Sequence, residues 1–203
     1  MKITPLIYGY SQMKESMAFP GGDPQKRFPI SFTFYLIQTE GCNILVDTGC
    51  TTMPGWEMKD FRGPEAALRA VGLTPKDITH LLVTHAHHDH IEMAGLYPQA
   101  EVYLEEKAFE KGKKYLQNNP KITLFHEKIT PVPNVEMLCI GGHAAGSCIV
   151  KIGNTVIAGD ECYTRRNLTE KIPTATTCDP QKSKEFIEEY SKPHYTVFLC
   201  HDE

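Results

Sequence analysis

The most constraining stretch of this 203-residue chain is His85-Ala86-His87-His88-Asp89-His90, an H-x-H-x-D-H pattern. It follows the apolar run Leu81-Leu82-Val83 and Thr84. Such a run, bounded by polar residues, suits a buried strand, so the six residues should sit where that strand ends and a helix begins. Imidazole nitrogens and a carboxylate oxygen are the ligands that zinc and related divalent ions prefer. Four such groups crowded at one strand end cannot all be buried without partners, because a dry polar group with none is costly. A bound cation removes that cost. The alternative, a polar loop that is merely His-rich, would need no further ligands elsewhere in the chain. The metal reading does need them.

Composition narrows the field. The length suits one domain over residues 1–203 with a full core. Hydrophobic residues make up 41% and charged residues 23%, as in an ordinary globular protein. A net charge of −4 leaves no broad basic footprint, which argues against nucleic acid as a partner. The densest basic stretch, Lys111 to Lys114, is interrupted by Gly112 and reads as a solvated helix face. No apolar run approaches membrane-spanning length, and Met1 to Pro5 leads into no signal-like segment. The 7 cysteines include no C-x-x-C pair, so free thiols in a reducing cytoplasm are expected. Cys139 and Cys200 lie in apolar runs and read as packed core thiols; Cys162 lies near a candidate ligand.

Along the chain, residues 1–12 read as a strand with a turn near Gly9. Residues 13–29, with Pro20-Gly21-Gly22-Asp23-Pro24, read as a long loop, either a pocket wall or an idle surface segment. Strands are expected at 32–37 and 43–46, the second ending at Asp47-Thr48-Gly49. Asp47 reads equally as a turn residue or as the acceptor that fixes the tautomer of a ligand His. Met53, Pro54, Trp56 and Phe61 are available as an apolar pocket wall. Helices are expected at 64–71, 91–96, 105–117 and 179–192, and strands at 101–104, 135–140, 147–152, 155–158 and 195–200. This order implies an α/β layered domain with mixed sheets.

Three further groups stand just past expected strands: His143 after Ile140-Gly141-Gly142, Asp160 after Val156 to Gly159, and His201 after Val197 to Cys200. Ligands need rigid, convergent supports, and strand ends on one side of a fold supply them.

Taken with Val46 to Gly49, Thr84 to His90, Gly142 to Ser147, Gly159-Asp160 and Cys200-His201-Asp202, the chain resembles the metallo-β-lactamase superfamily. The resemblance implies an αββα sandwich with a two-metal site. It implies that His85, His87 and His143 hold one ion, that Asp89, His90 and His201 hold the second, and that Asp160 bridges them. Asp47 would support the ligands from behind, and His88 would not be one. The stretch Asp160 to Leu168, with Tyr163 three residues past Asp160, is similar to the N-acyl homoserine lactonases, in which that Tyr faces the substrate.

The expected cofactor is two divalent ions, zinc first, with iron or manganese as alternatives. The expected substrate is a small lactone or related ester, with no nucleic acid or membrane partner; a homodimer is compatible with the sequence. Two ions sharing one water would make a hydroxide available at neutral pH. Tyr163 would donate to the oxyanion, and Asp89 would carry the proton to the leaving oxygen. A thioesterase resembling glyoxalase II, a phosphodiesterase, a single-iron oxidoreductase resembling the persulfide dioxygenases, and a non-catalytic metal module are the competing readings.

Overall fold

The computed structural model describes residues 1–202. Its elements, in chain order, are β1 (Lys2–Lys14), α1 (Glu15–Ala18), β2 (Arg27–Thr39), β3 (Cys42–Val46), α2 (Pro64–Arg69), β4 (His80–Leu82) and α3 (His88–Ile91). They continue with β5 (Glu101–Glu105), α4 (Glu106–Gly112), β6 (Ile122–Phe125), β7 (Lys128–Val132), β8 (Val135–Cys139), β9 (Cys148–Ile152) and β10 (Thr155–Ile157). The last are α5 (Arg165–Glu170), α6 (Pro180–Tyr190) and β11 (Thr196–Phe198).

The strands form two sheets. One runs β1 to β6 in chain order, and the other runs β11-β10-β9-β8-β7. Both are mixed. In the first, β1 to β3 pair antiparallel and β3 to β6 parallel. In the second, only β10 and β11 pair parallel.

Alternation along each strand sorts side chains to opposite faces and so decides the layers. Tyr35, Ile37, Ile44, Val46 and Leu82 of the first sheet meet Val135, Met137, Cys148 and Val150 of the second in the inter-sheet core. Their neighbours Leu36, Leu45, Leu81 and Val102 face outward and pack with Leu68 of α2, Ile91 of α3 and Ala108 of α4. On the other outer face Ile149, Val156 and Val197 lie with Leu168 of α5 and Phe186 and Ile187 of α6. This is the αββα sandwich that the resemblance implied. Among the described residues, no helix is long and apolar enough to cross a membrane.

The structure corrects the element reading in several places. Residues 13–29 are not one long loop: β1 runs on to Lys14 and β2 begins at Arg27. The ladder carries the pairing out through polar residues, and Met13 is buried within it. Gly9 makes no turn; the register slips between Ile7 and Gly9 and the strand continues. The helix expected over 105–117 stops at Gly112 and passes into a single 3-10 turn. A Cβ on Gly112 would lie 2.9 Å from Ile91 Cδ1, so glycine lets α4 sit close to α3. Four elements had no counterpart in the sequence reading: α1, β6, β7 and α5. Cys139 is half-buried, not a core thiol like Cys200.

Candidate metal centre

The candidate ligands stand in the turns and the helix start that follow short strands. His85 and His87 follow β4, and Asp89 and His90 lie in the first turn of α3. His143 is in the turn joining β8 to β9, Asp160 in the 3-10 turn after β10, and His201 just beyond β11. These ends meet.

His87 Nδ1 lies 3.0 Å from His85 Nε2 and 2.9 Å from His143 Nε2. Asp160 Oδ2 lies 3.6 Å from His85 Nε2 and 3.4 Å from His143 Nε2. The other oxygen, Asp160 Oδ1, lies 3.1 Å from His90 Nε2 and 3.2 Å from His201 Nε2. Asp89 Oδ2 is 3.7 Å from both of those nitrogens. Atoms bound at about 2.0–2.1 Å from a tetrahedral ion are about 3.3–3.4 Å apart, and the spacings in the two groups lie on either side of that value, from 2.9 to 3.7 Å. Asp160 thus turns one carboxylate oxygen to each.

The polar atoms here call for cations. His90 Nε2 and Asp160 Oδ1 are buried and have no hydrogen-bond partner. Imidazole nitrogens aimed at one another cannot all act as donors and acceptors together, whereas a divalent ion satisfies every one of them. The donor set of nitrogens and carboxylate oxygens fits divalent metal. Cys200 Sγ also lies near the ligand atoms of Asp47 and His90, but burial holds that thiol well above its ordinary pKa and it packs in the inter-sheet core.

The outer nitrogens aim the inner ones. His90 Nδ1 donates to Asp47 Oδ2 at 2.7 Å. Asp47 also accepts from the Thr84 amide and hydroxyl, and Thr84 Oγ1 lies 3.0 Å from His85 Nδ1. Asp47 therefore sits behind both groups, with a φ of 64° that the adjoining turn requires. His143 Nδ1 donates to the Thr176 carbonyl at 3.0 Å, and His201 Nδ1 to the Ser31 carbonyl at 3.1 Å. Such anchors set tautomer and ring orientation. His88 points away, its ring held by Tyr115 Oη and the Thr52 carbonyl.

Charge differs between the two groups. Burial pushes His85, His87 and His143 below the usual imidazole pKa. Burial opposes protonation of His90 and His201 too, but there the carboxylates prevail, Asp160 foremost, and both are raised. Burial would raise Asp160, yet His90, His201 and His143 together hold it well below the usual carboxylate range.

Tyr163 lies beside both groups. Its ring is edge-on to His143 and His201, with centroids 5.8 and 5.6 Å away, and its hydroxyl is 3.4 Å from His143 Nδ1. Burial, then the charge of Asp160, hold the phenol well above its ordinary pKa, so it stays a donor. A cavity of about 300 Å³ opens over Asp89, Asp160, Tyr163 and His201. Met13, Met17, Phe32, Met53 and Trp56 make its apolar wall, so both stretches read as wall candidates contribute. Pro54 and Phe61 do not line it.

Sequence reasoning missed Glu161. This fully buried carboxylate accepts from the amides of Gly142 and His143 and from Ser147 Oγ, and so holds the turn that carries His143. Its only signal was adjacency to Asp160. Cys162 is no ligand: it lies in the core under α5 and α6, its thiol donating to the Thr164 carbonyl.

The pattern of the metallo-β-lactamase superfamily matches residues 33–121. A probable metallo-hydrolase of Methanocaldococcus jannaschii is 28% identical over 159 residues, spanning 78% of this chain and 70% of that protein. An N-acyl homoserine lactonase of Bacillus cereus is 25% identical over 199 residues, spanning 83% and 80%. A solved N-acyl homoserine lactone hydrolase, with the product N-hexanoyl-L-homoserine at its catalytic metal center, superposes with a TM-score of 0.84 at 22% identity, over 99% of this chain and 93% of that one. A dizinc quorum-quenching lactonase superposes with a TM-score of 0.78 at 16% identity, over 98% and 87%.

Proposed function

We propose that the chain is a metal-dependent hydrolase of the metallo-β-lactamase superfamily that opens the ester ring of a lactone, with N-acyl homoserine lactones as the substrate class. Its ligands are His85, His87 and His143 for one divalent ion, Asp89, His90 and His201 for a second, and Asp160 for both. The observation that carries this reading is Asp160, with one oxygen within 3.6 Å of each of two first-group imidazoles and the other within 3.2 Å of two second-group ones. Zinc is the favoured metal, with iron and manganese the alternatives.

Divalent ions held by these residues would supply an activated water at neutral pH and polarise the scissile carbonyl. The side chains do the rest. Tyr163, kept protonated by burial, donates to the oxygen on which negative charge develops. Asp89 lines the cavity and carries a proton to the ring oxygen as it leaves, giving a hydroxy acid. The walls from Met13, Met17, Phe32 and Trp56 take an acyl chain and exclude water from the reacting ester. They favour an apolar acyl substrate over a phosphodiester. The complete second group, Asp89, His90 and His201, speaks against a single-iron oxidoreductase.

The test is metal content together with a parallel assay of the zinc-loaded protein on acyl homoserine lactones, thioesters and phosphodiesters. Two ions per chain and ring opening as the fastest reaction are expected. Faster thioester cleavage would overturn the substrate class, and one iron per chain with oxygen uptake would overturn the hydrolytic chemistry.

A further inference from the structure

Away from the metal centre, β8 and β9 bring two cysteines directly opposite each other. Cys139 and Cys148 are cross-strand partners in the antiparallel ladder. Both side chains lie on the inter-sheet face. The next pair outward, Ile140 and Ser147, is joined by a bond from the Ile140 amide to the Ser147 carbonyl at 2.9 Å. Antiparallel ladders alternate, so the 139/148 pair is a non-hydrogen-bonded one. The amides agree: Cys139 N donates to the Glu127 carbonyl and Cys148 N to the Thr84 carbonyl, each away from its partner. Residues in such a pair have Cα atoms about 4.5 Å apart, at the short end of the range of about 4.4–6.8 Å that a disulfide spans. The Cys148 thiol donates to the Gly146 carbonyl at 3.3 Å, within the turn that follows Cys139.

Access is unequal. Cys148 is buried, while Cys139 is half-buried and lines a cavity of about 510 Å³ with Lys107, His126, Lys182 and Phe186. Lys107 and Lys182 stand beside Cys139 in that cavity and favour its thiolate, the form that attacks a disulfide, against burial and the charge of Glu105. One thiol therefore faces solvent and the other waits behind it.

We propose that Cys139 and Cys148 form a reversible intramolecular disulfide, made by exchange with a low-molecular-weight disulfide such as oxidised glutathione. The Cys139 thiolate attacks one sulfur of the oxidant and releases one equivalent of thiol. Cys148, losing its proton, then attacks the mixed disulfide at Cys139 and releases the second equivalent. Two thiols are oxidised and one small disulfide is reduced. Thiol–disulfide exchange runs in both directions, so excess reduced thiol opens the pair again. It would cross-link the base of the turn at 140–147, which carries His143. That turn is already tied by Ser147, whose hydroxyl bonds to Glu161 and whose carbonyl accepts from Ile140 and Gly141.

The test uses the full chain, with Cys178→Ser to remove the exposed thiol. The protein is equilibrated in buffers of graded reduced and oxidised glutathione, trapped by alkylation and mapped by mass spectrometry. The expected product is a Cys139–Cys148 cross-link two hydrogens lighter, whose ratio to the dithiol falls tenfold for each tenfold rise in the squared reduced over oxidised glutathione ratio. In Cys148→Ala, Cys139 should instead accumulate one glutathione. Mapping the protein with both thiols intact needs neither residue changed, so a failure of Cys148→Ala to fold leaves the result readable. A stable glutathione adduct on Cys139 with Cys148 still present, or both thiols free in fully oxidised buffer, would overturn the proposal.

Discussion

The two candidate ligand groups share Asp160 and differ in almost everything else. The first pairs it with three imidazoles, all held neutral by burial. The second pairs it with two imidazoles and Asp89, with Asp47 behind His90, and there the carboxylates outweigh burial and raise the pKa of both rings. One pocket therefore offers lone pairs as it stands, whereas its neighbour holds protons where an ion would go. Equal geometry does not mean equal readiness to bind.

The largest effect should come from removing what the groups have in common. Asp160→Ala should lose both ions by metal analysis and bring lactone hydrolysis to background. If it kept both ions, the shared carboxylate would not be the hinge of the site. Tyr163→Phe should separate chemistry from metal. Its ring touches His143 and His201 from outside, so both ions should stay while kcat falls by about a hundredfold, roughly 3 kcal/mol of barrier, as for loss of one oxyanion donor. A fall in metal content would show that its role is structural. Asp47→Asn should sharpen the contrast. Asp47 touches His90 directly but reaches His85 only through Thr84. Competition with a chelator should show the second ion bound about 10–100-fold more weakly and the first changed less. Equal losses would place Asp47 behind both groups alike.

The candidate ligands were legible because each group follows a run of apolar residues that reads as a strand, and the sandwich sets those ends together. Their outer anchors were not. His143 and His201 are aimed by the carbonyls of Thr176 and Ser31, and a backbone acceptor leaves no trace in residue type. Glu161 was passed over because a carboxylate reads as exposed until its amide donors are known. The unread strands lie at edges: β6 ends the first sheet and β7, with Pro131, ends the second. Edge strands face solvent and tolerate proline, so they lack the apolar run that betrays a central strand. The 13–29 stretch misled because β1 and β2 pair far beyond their apolar centres.

The smallest effect tests the charge contrast itself. Raised pKa values at His90 and His201 mean that both rings are protonated at and below the ordinary imidazole range in the metal-free protein. An ion entering there must expel those protons, so its affinity should weaken as pH falls, by up to about tenfold per unit for each proton released. The effect should vanish above the raised pKa values, where the rings are already neutral. In the first group the pKa values are depressed, so around neutral pH no proton leaves and the affinity should stay flat. Zinc titrations against a chelator between about pH 6 and 8 distinguish the two, since only an imidazole changes charge there unaided. One steep and one level affinity curve are expected. Two parallel curves would mean that the carboxylates around His90 do not hold protons there, and that the two groups are electrostatic equals.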